Sequence, residues 1–180
     1  MVLGSDIIQR AKKGDSQALR AIYEQTIGYI SAVCSRYITD REEARDIMQE
    51  VYVKAFSSID RFTYNGEGSI RGWISRIAVN ECISKLRKKK KLFIFNEDID
   101  APDISEEEPP EIDSIDSAQI MDAIRELPPG YRTILNLFLL EGRSHKEIAS
   151  MLGIAEKTSA SQYHRARVTL AKKLKAIQKQ

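Results

Sequence analysis

The chain has 180 residues, of which 42% are hydrophobic and 30% charged, a composition typical of a soluble globular protein. It has room for one average domain or two small helical ones. No apolar run approaches membrane-spanning length and the N-terminus lacks a secretory signal, so we expect a cytoplasmic protein without membrane insertion. Cys34 and Cys82 match no metal spacing, and two buried thiols are favoured over a disulfide.

The net charge of +2 conceals a division into charge blocks. Residues 1–96 carry 17 basic and 11 acidic side chains, and residues 127–180 carry 10 basic and 3 acidic ones. Residues 97–116 carry 10 acidic side chains and no basic one. Two basic blocks separated by an acidic one indicate two separate contacts with a polyanion, joined by a segment that avoids it.

In the N-terminal part, apolar residues recur at helical spacing, and no sustained period-two alternation predicts a strand. Residues 19–37 form one apolar stripe on a long helix. Asp40 offers an N-cap for a second helix, with Glu43 three residues later. Turn formers at 63–68 precede a third helix, expected from Ser69 to the late 80s. Antiparallel packing of the three helices would bury all three stripes.

Residues 92–116 predict an extended linker. Three prolines lie there within Asp-, Glu- and Ser-rich sequence, and proline removes backbone donors while like charges repel. The linker separates an N-terminal domain at 1–91 from a C-terminal domain at 117–180. We therefore expect an all-α protein of two small helical domains.

The C-terminal domain contains the pattern of a helix-turn-helix. Helices are expected from about Ser117 and over residues 129–141, with Gly142 following the second. A capping box at residues 144–147 then opens a short helix that stops at Gly153. The last helix is expected over residues 158–175, and in this motif it enters the major groove.

The last helix is expected to expose a basic face. Gln162, on the flank of that face, and Arg165 suit hydrogen bonding to base edges. Lys157, Ser161 and Arg167 suit phosphate contacts. The pattern leaves two interpretations of His164, a base contact or an ordinary surface position. For all of these residues together, the alternative interpretation is the solvated face of a basic helix in an ordinary bundle. The expected inward stripe is Ser159, Tyr163, Ala166, Leu170 and Leu174.

Two further polar faces are expected in the N-terminal domain. Asp46, Gln49 and Glu50 share one side of the second helix, away from its apolar stripe. A polar and basic stripe on the third helix begins at Trp73 and ends in the basic run 87–91. An aromatic at the head of such a stripe suits stacking on bases, although burial in the core is the alternative for a lone tryptophan. The stripe comprises Trp73, Arg76, Asn80, Ser84 and Arg87.

These motifs resemble those of bacterial sigma factors. Residues 40–56 resemble sigma region 2, with its Asp-x-x-Gln-Glu core at 46–50. Residues 69–80 are similar to the melting and −10-reading segment of the extracytoplasmic-function (ECF) type. Residues 144–170 resemble region 4, including Thr158-x-x-Ser161 and the run 164–167. No third domain lies between the two regions, only the linker, and this arrangement matches that of the ECF type.

The resemblance implies a transcription initiation factor without catalytic chemistry, cofactor or metal. The partners of such a factor would be promoter DNA and RNA polymerase core, which it would contact at the β′ clamp helices and the β flap. An anti-sigma factor is a further possible partner of this family. The face at Asp46, Gln49 and Glu50 would bind core, and the loop at 63–68 would capture a flipped base. The implied −10 residues are Asn65, Arg71, Trp73, Arg76, Asn80, Ser84 and Arg87. The implied −35 residues are Lys157, Thr158, Ser161, Gln162, His164, Arg165 and Arg167.

Two other classes of protein compete with this interpretation. A stand-alone helix-turn-helix regulator would use a helical dimerisation or ligand domain and bind a palindrome without polymerase. An enzyme acting on nucleic acid is disfavoured, because no carboxylate cluster accompanies the two histidines and no phosphate-binding glycine loop exists. The sequence also departs from the common region 4 pattern at three positions. Ser159 stands where valine usually packs, and Ala160 and Gln162 stand where basic residues are common.

Overall fold

The computed structural model describes residues 3–89 and 115–178, and within these ranges the regular structure is helical. The expectation of an all-α fold is confirmed. The chain divides into two compact units, Met1–Lys85 and Leu86–Gln180. The helices are α1 (Ser5–Lys12), α2 (Ser16–Tyr37), α3 (Arg41–Ser57), a 3-10 helix (Ile59–Arg61), α4 (Ser69–Lys88), α5 (Ser117–Arg125), α6 (Pro129–Leu139), α7 (His145–Leu152) and α8 (Glu156–Gln178). None of these helices is both long enough and apolar enough to cross a bilayer.

The three helices expected in the first unit are present as α2, α3 and α4, but the sequence pattern missed α1. This helix buries Ile7, Ile8 and Ala11 and packs on α2. The Asp15 side chain caps the start of α2 by accepting hydrogen bonds from the next turn. An eight-residue helix contains little more than two turns, too few for a clear periodic signal.

The core of the first unit lies between the apolar stripes of its helices. Thr26 Oγ1 of α2 and Tyr52 OH of α3 are hydrogen-bonded at 2.8 Å, and burial raises the pKa of Tyr52 to about 12. Cys34 and Cys82 are free and buried, as expected from the sequence. Hydrogen bonding with the neighbouring Cys34 and burial raise the pKa of the Cys82 thiol.

In the second unit, α8 packs against α5, α6 and α7. The helix α6 ends at Leu139, two residues before its expected end, and α8 begins at Glu156, two residues before its expected start. Arg132 is buried, and its Nη1 donates to the carbonyl oxygens of Arg125 and Leu127. These bonds satisfy acceptors at the end of α5, while burial lowers the pKa of the guanidinium.

Most of the expected linker lies outside the described residues, which resume at Ile115. Ile115 is buried in a cluster with Ala123 and Leu174. Asp116 caps α5 in a capping box with Gln119. The last two residues of the range expected to form the linker therefore belong to the packed second unit.

Candidate nucleic-acid and protein interfaces

The polar face expected on α3 is exposed. Asp40 begins this helix by accepting a hydrogen bond from the Glu43 backbone N at 2.8 Å, as expected. Burial of Ile47 and Val51 then fixes the rotation of α3 about its axis. Asp46, Gln49 and Glu50 consequently share the opposite, solvent-exposed side, where they present two carboxylates and an amide.

The helix α4 carries a polar stripe on the side opposite its core residues. Ile74, Ala78 and Cys82 are fully buried and hold this helix against the unit. A 100° turn per residue places the stripe that begins at Trp73 on the far side, where its polar members are exposed. These exposed residues are Arg76, Asn80, Ser84 and Arg87.

A cavity of about 420 Å³ lies at the N-terminal head of this stripe. The half-buried Trp73 is one wall, and its ring lies 5.3 Å from that of Phe62 with 43° between the planes. Asn65 and Arg76 contribute an amide and a guanidinium. Aromatic faces and hydrogen-bonding groups thus meet in one cavity. The full lining is Arg61, Phe62, Thr63, Asn65, Ser69, Gly72, Trp73 and Arg76.

The cavity is held in shape by the turn that precedes α4. Ser69 Oγ donates to the Gly66 carbonyl oxygen at 2.6 Å and accepts from the Asn65 backbone N at 3.3 Å. Gly66 has a φ of +99°, a backbone conformation that residues other than glycine rarely adopt. Phe62 and Ser69 were not singled out from the sequence, because an isolated aromatic and a serine at a helix start carry no functional pattern.

The structure does not bring Arg71 into the cavity lining. Its guanidinium carbon lies 4.9 Å from the ring centroid of Tyr29 on α2. Arg71 is two residues before Trp73, and two helical steps turn a side chain by about 200°. It therefore lies on a different side of α4 from Trp73 and the polar stripe.

The second unit contains the expected helix-turn-helix. Ser144 caps α7, with Glu147 N donating to Ser144 Oγ and Ser144 N donating to Glu147 Oε2. The Ser144 backbone bond, the Ser144 hydroxyl and Arg143 lower the pKa of Glu147. Gly153 then adopts the left-handed conformation at φ 70° and ψ 38°, ending α7 and turning the chain into α8.

Most of the expected −35 residues lie on an accessible side of α8, but Gln162 does not. Lys157, Ser161, His164 and Arg167 are exposed, and Thr158 and Arg165 are half-buried. Gln162 is only 3% exposed, so its expected place on the flank of the recognition face is wrong. It lies three residues after Ser159 and four before Ala166, both fully buried, and so shares their inward side.

The two units correspond to the two conserved domains of a sigma factor. A model of Sigma-70 region 2 matches residues 22–92, and a model of Sigma-70 region 4 matches residues 117–170. The chain is 31% identical to the ECF RNA polymerase sigma factor SigW of Bacillus subtilis strain 168, over 94% of this chain and 96% of that one. It is 28% identical to the ECF RNA polymerase sigma-E factor of Haemophilus influenzae, over 95% of each chain.

Among solved structures, the chain is similar to the sigma factor RpoE of Bartonella quintana, which was crystallised with the anti-sigma factor NepR. The TM-score is 0.49 at 22% identity, over 87% of this chain and 96% of that one. The near full-length sequence matches decide the family, and the chain belongs to the ECF RNA polymerase sigma factors. Its function is to direct transcription initiation at promoters.

Proposed function

We propose that this sigma factor divides its contacts among three surfaces. The exposed α3 face at Asp46, Gln49 and Glu50 binds the β′ clamp helices of RNA polymerase core. The cavity and polar stripe of α4 read and help to open the −10 element, and α8 reads the −35 element while its unit contacts the β flap. Residues 1–91 and 115–180 are the two functional domains, and residues 92–114 link them.

The cavity at the head of α4 is the observation that carries the proposal. Extruding a base from duplex DNA costs a few kcal/mol, so a protein that opens DNA needs a shaped pocket to receive it. The half-buried Trp73, packed against the buried Phe62, offers a stacking surface there, and Asn65 and Arg76 offer hydrogen bonds to a base edge. Downstream of the cavity, Asn80 and Arg87 lie where the phosphates of the opened strand would pass.

The charge of each surface supports its proposed partner. Two carboxylates on α3 would repel DNA phosphates, which favours a protein surface as the partner of that face. The exposed Lys157, His164 and Arg167 of α8 give the second unit donors for a phosphate backbone and base edges. The sequence carries a basic block in each domain, as two separate DNA contacts require.

The proposal gives the protein no catalytic chemistry of its own, because the polymerase forms the phosphodiester bonds. It places the protein in the cytoplasm, where promoter DNA and core polymerase are found. We also propose an anti-sigma factor as a partner, which membership of the ECF family allows.

Reconstituted transcription tests the proposal. Purified core polymerase is combined with the full-length chain and with genomic promoter fragments, and transcripts are mapped at their 5′ ends. We expect initiation from discrete start sites only when both proteins are present. If no fragment supports initiation and the chain instead binds operator DNA alone as a dimer, it is a stand-alone regulator.

A further inference from the structure

His145 of α7 contacts two other helices of the second unit, and the surfaces proposed above give it no role. It is the first residue of α7, and its Nδ1 is hydrogen-bonded to Ser159 Oγ of α8 at 3.0 Å. Its ring stacks on Phe138 of α6, with centroids 4.7 Å apart and 21° between the planes. The ring of Tyr163 on α8 lies 5.6 Å away. The imidazole is therefore held by stacking and by a hydrogen bond at once.

Ser159 is a polar residue in an otherwise tightly packed place. Its exposed fraction is 0%, and it lies on the inward side of α8 together with Ala166. A hydroxyl in such a place is costly unless it is hydrogen-bonded, and the His145 ring supplies the bond. A valine in this place would pack without directional preference. This chain thus joins α7 and α8 by a directional contact in addition to packing.

The position of this bond connects it to the DNA-reading face. Ser159 lies between Thr158 and Ser161, on the first turn of the helix that would enter the major groove. A hydrogen bond weakens steeply when its angle departs from linearity, so the bond restrains the rotation of α8 about its axis. Rotation of α8 would move the exposed Ser161 and the half-buried Arg165 relative to base edges.

We propose that His145 and Ser159 are positioning residues for −35 recognition, and that the bond between them sets the orientation of α8 relative to α7. Neither residue contacts DNA. The inference rests on the proposed assignment of α8 to the −35 element.

Two substitutions separate the hydrogen bond from packing. His145→Phe keeps an aromatic ring against Phe138 but removes the nitrogen, and Ser159→Ala removes only the hydroxyl. His145→Asn restores a hydrogen-bonding atom, because its Oδ1 occupies a position similar to that of Nδ1. Ser150→Ala, at an exposed serine of α7, is the matched control.

The test measures affinities of holoenzyme for two DNA fragments. One is a promoter on which the wild-type holoenzyme initiates, and the other carries a scrambled upstream element. We expect His145→Phe and Ser159→Ala each to weaken binding to the intact promoter about three- to tenfold, the effect of losing one hydrogen bond. The double variant should lose no more than either single one. His145→Asn and Ser150→Ala should bind as the wild type does, and no variant should differ on the scrambled fragment.

Three outcomes would overturn the proposal. Equal losses on both fragments, with a lowered midpoint of thermal unfolding, would show a purely structural role. Unchanged binding of the single variants, or fully additive losses in the double variant, would show that the bond does not orient α8. A wild-type holoenzyme that binds both fragments equally would remove the −35 assignment itself, and this failure is visible before any variant is made.

Discussion

Two polar residues on the inward side of α8 differ in their hydrogen bonding. Ser159 is hydrogen-bonded to His145, whereas Gln162 Oε1 is buried and accepts no hydrogen bond from the described residues. An unsatisfied buried acceptor costs about 1–3 kcal/mol, although an apolar replacement of similar shape removes that cost. Gln162 therefore lowers the stability of its unit, and its side chain does not face a DNA base.

Gln162→Met should raise the free energy of unfolding by about 1 kcal/mol, because methionine fills a similar volume without a buried polar oxygen. Thermal or urea unfolding of the full chain measures this change. Transcription from promoters with altered −35 elements should keep the wild-type order of preference. A reordered preference, or a less stable protein, would show that Gln162 makes a polar contact of its own.

The α3 face can be tested without disturbing the core. Replacing Asp46, Gln49 and Glu50 together with alanine should abolish core binding, measured by native gel or by co-elution with core. Because all three side chains are exposed, the replacement should leave the packing of the unit intact. The circular dichroism spectrum and the unfolding midpoint should not change.

The matched control replaces Gln17, Glu24 and Gln25, exposed polar residues of α2, with alanine. This control should bind core normally. Normal core affinity in the α3 variant would exclude this face as the interface.

Individual helices of this protein begin with side-chain caps that satisfy otherwise unpaired backbone donors. The side chains of Asp15, Asp40, Asp116 and Ser144 each accept hydrogen bonds from the first turn of the helix that follows. The cap of α7 is linked to ionisation, because the Glu147 carboxylate accepts from the Ser144 backbone N and hydroxyl and pairs with Arg143. The start of α7 should therefore depend on pH.

The pKa of Glu147 is lowered from its ordinary value of 4.5 in the folded chain. A carboxyl with a lowered folded-state pKa stabilises the fold above its unfolded pKa and loses that contribution as the pH falls through the folded value. The Glu147 contribution should therefore be present near neutrality and disappear below about pH 4.5.

Glu147→Gln should make the fall in unfolding free energy between about pH 6 and about pH 3 shallower than in the wild type. Chemical unfolding at a series of pH values measures the slope. Glu141→Gln is the control, because within the described residues Glu141 does not cap a helix. This variant should keep the slope of the wild type. An identical slope in the two variants would mean that the Glu147 contacts do not contribute.

The whole molecule combines two folded units with a segment whose composition predicts an extended chain. The 23 residues at 92–114 could span at most about 78 Å when extended. Promoter elements separated by about 17 base pairs lie about 60 Å apart along the duplex. The length of the linker is therefore sufficient for simultaneous contact with both elements.

Deleting residues 98–109 would shorten the maximum reach of the linker to about 37 Å. This deletion should strongly reduce initiation at promoters that need both elements, measured as full-length transcripts in the reconstituted system. An equal-length replacement by glycine and serine should restore initiation, because reach rather than sequence is required. Wild-type transcript levels from the deletion variant would show that the two domains need not contact both elements together.

The sequence by itself determined the family, the helices other than α1 and the short 3-10 helix, and the caps at Asp40 and Ser144. The caps at Asp40 and Ser144, the turn at Gly153 and the polar face beginning at Asp46 all have the local structure expected of them. These features follow from residues within one or two turns of each other, so the linear order of side chains suffices to specify them.

Only the tertiary structure decided which side chains meet across elements. The cavity combines a 3-10 helix, a loop and α4, and the Ser159–His145 bond joins residues from two helices. The wrong placement of Gln162 has the same origin, because a long polar side chain at the edge of a stripe can be buried or exposed depending on its neighbours. Helix formation depends on local backbone bonding, whereas burial depends on which helices pack together, and a single sequence does not state this packing directly.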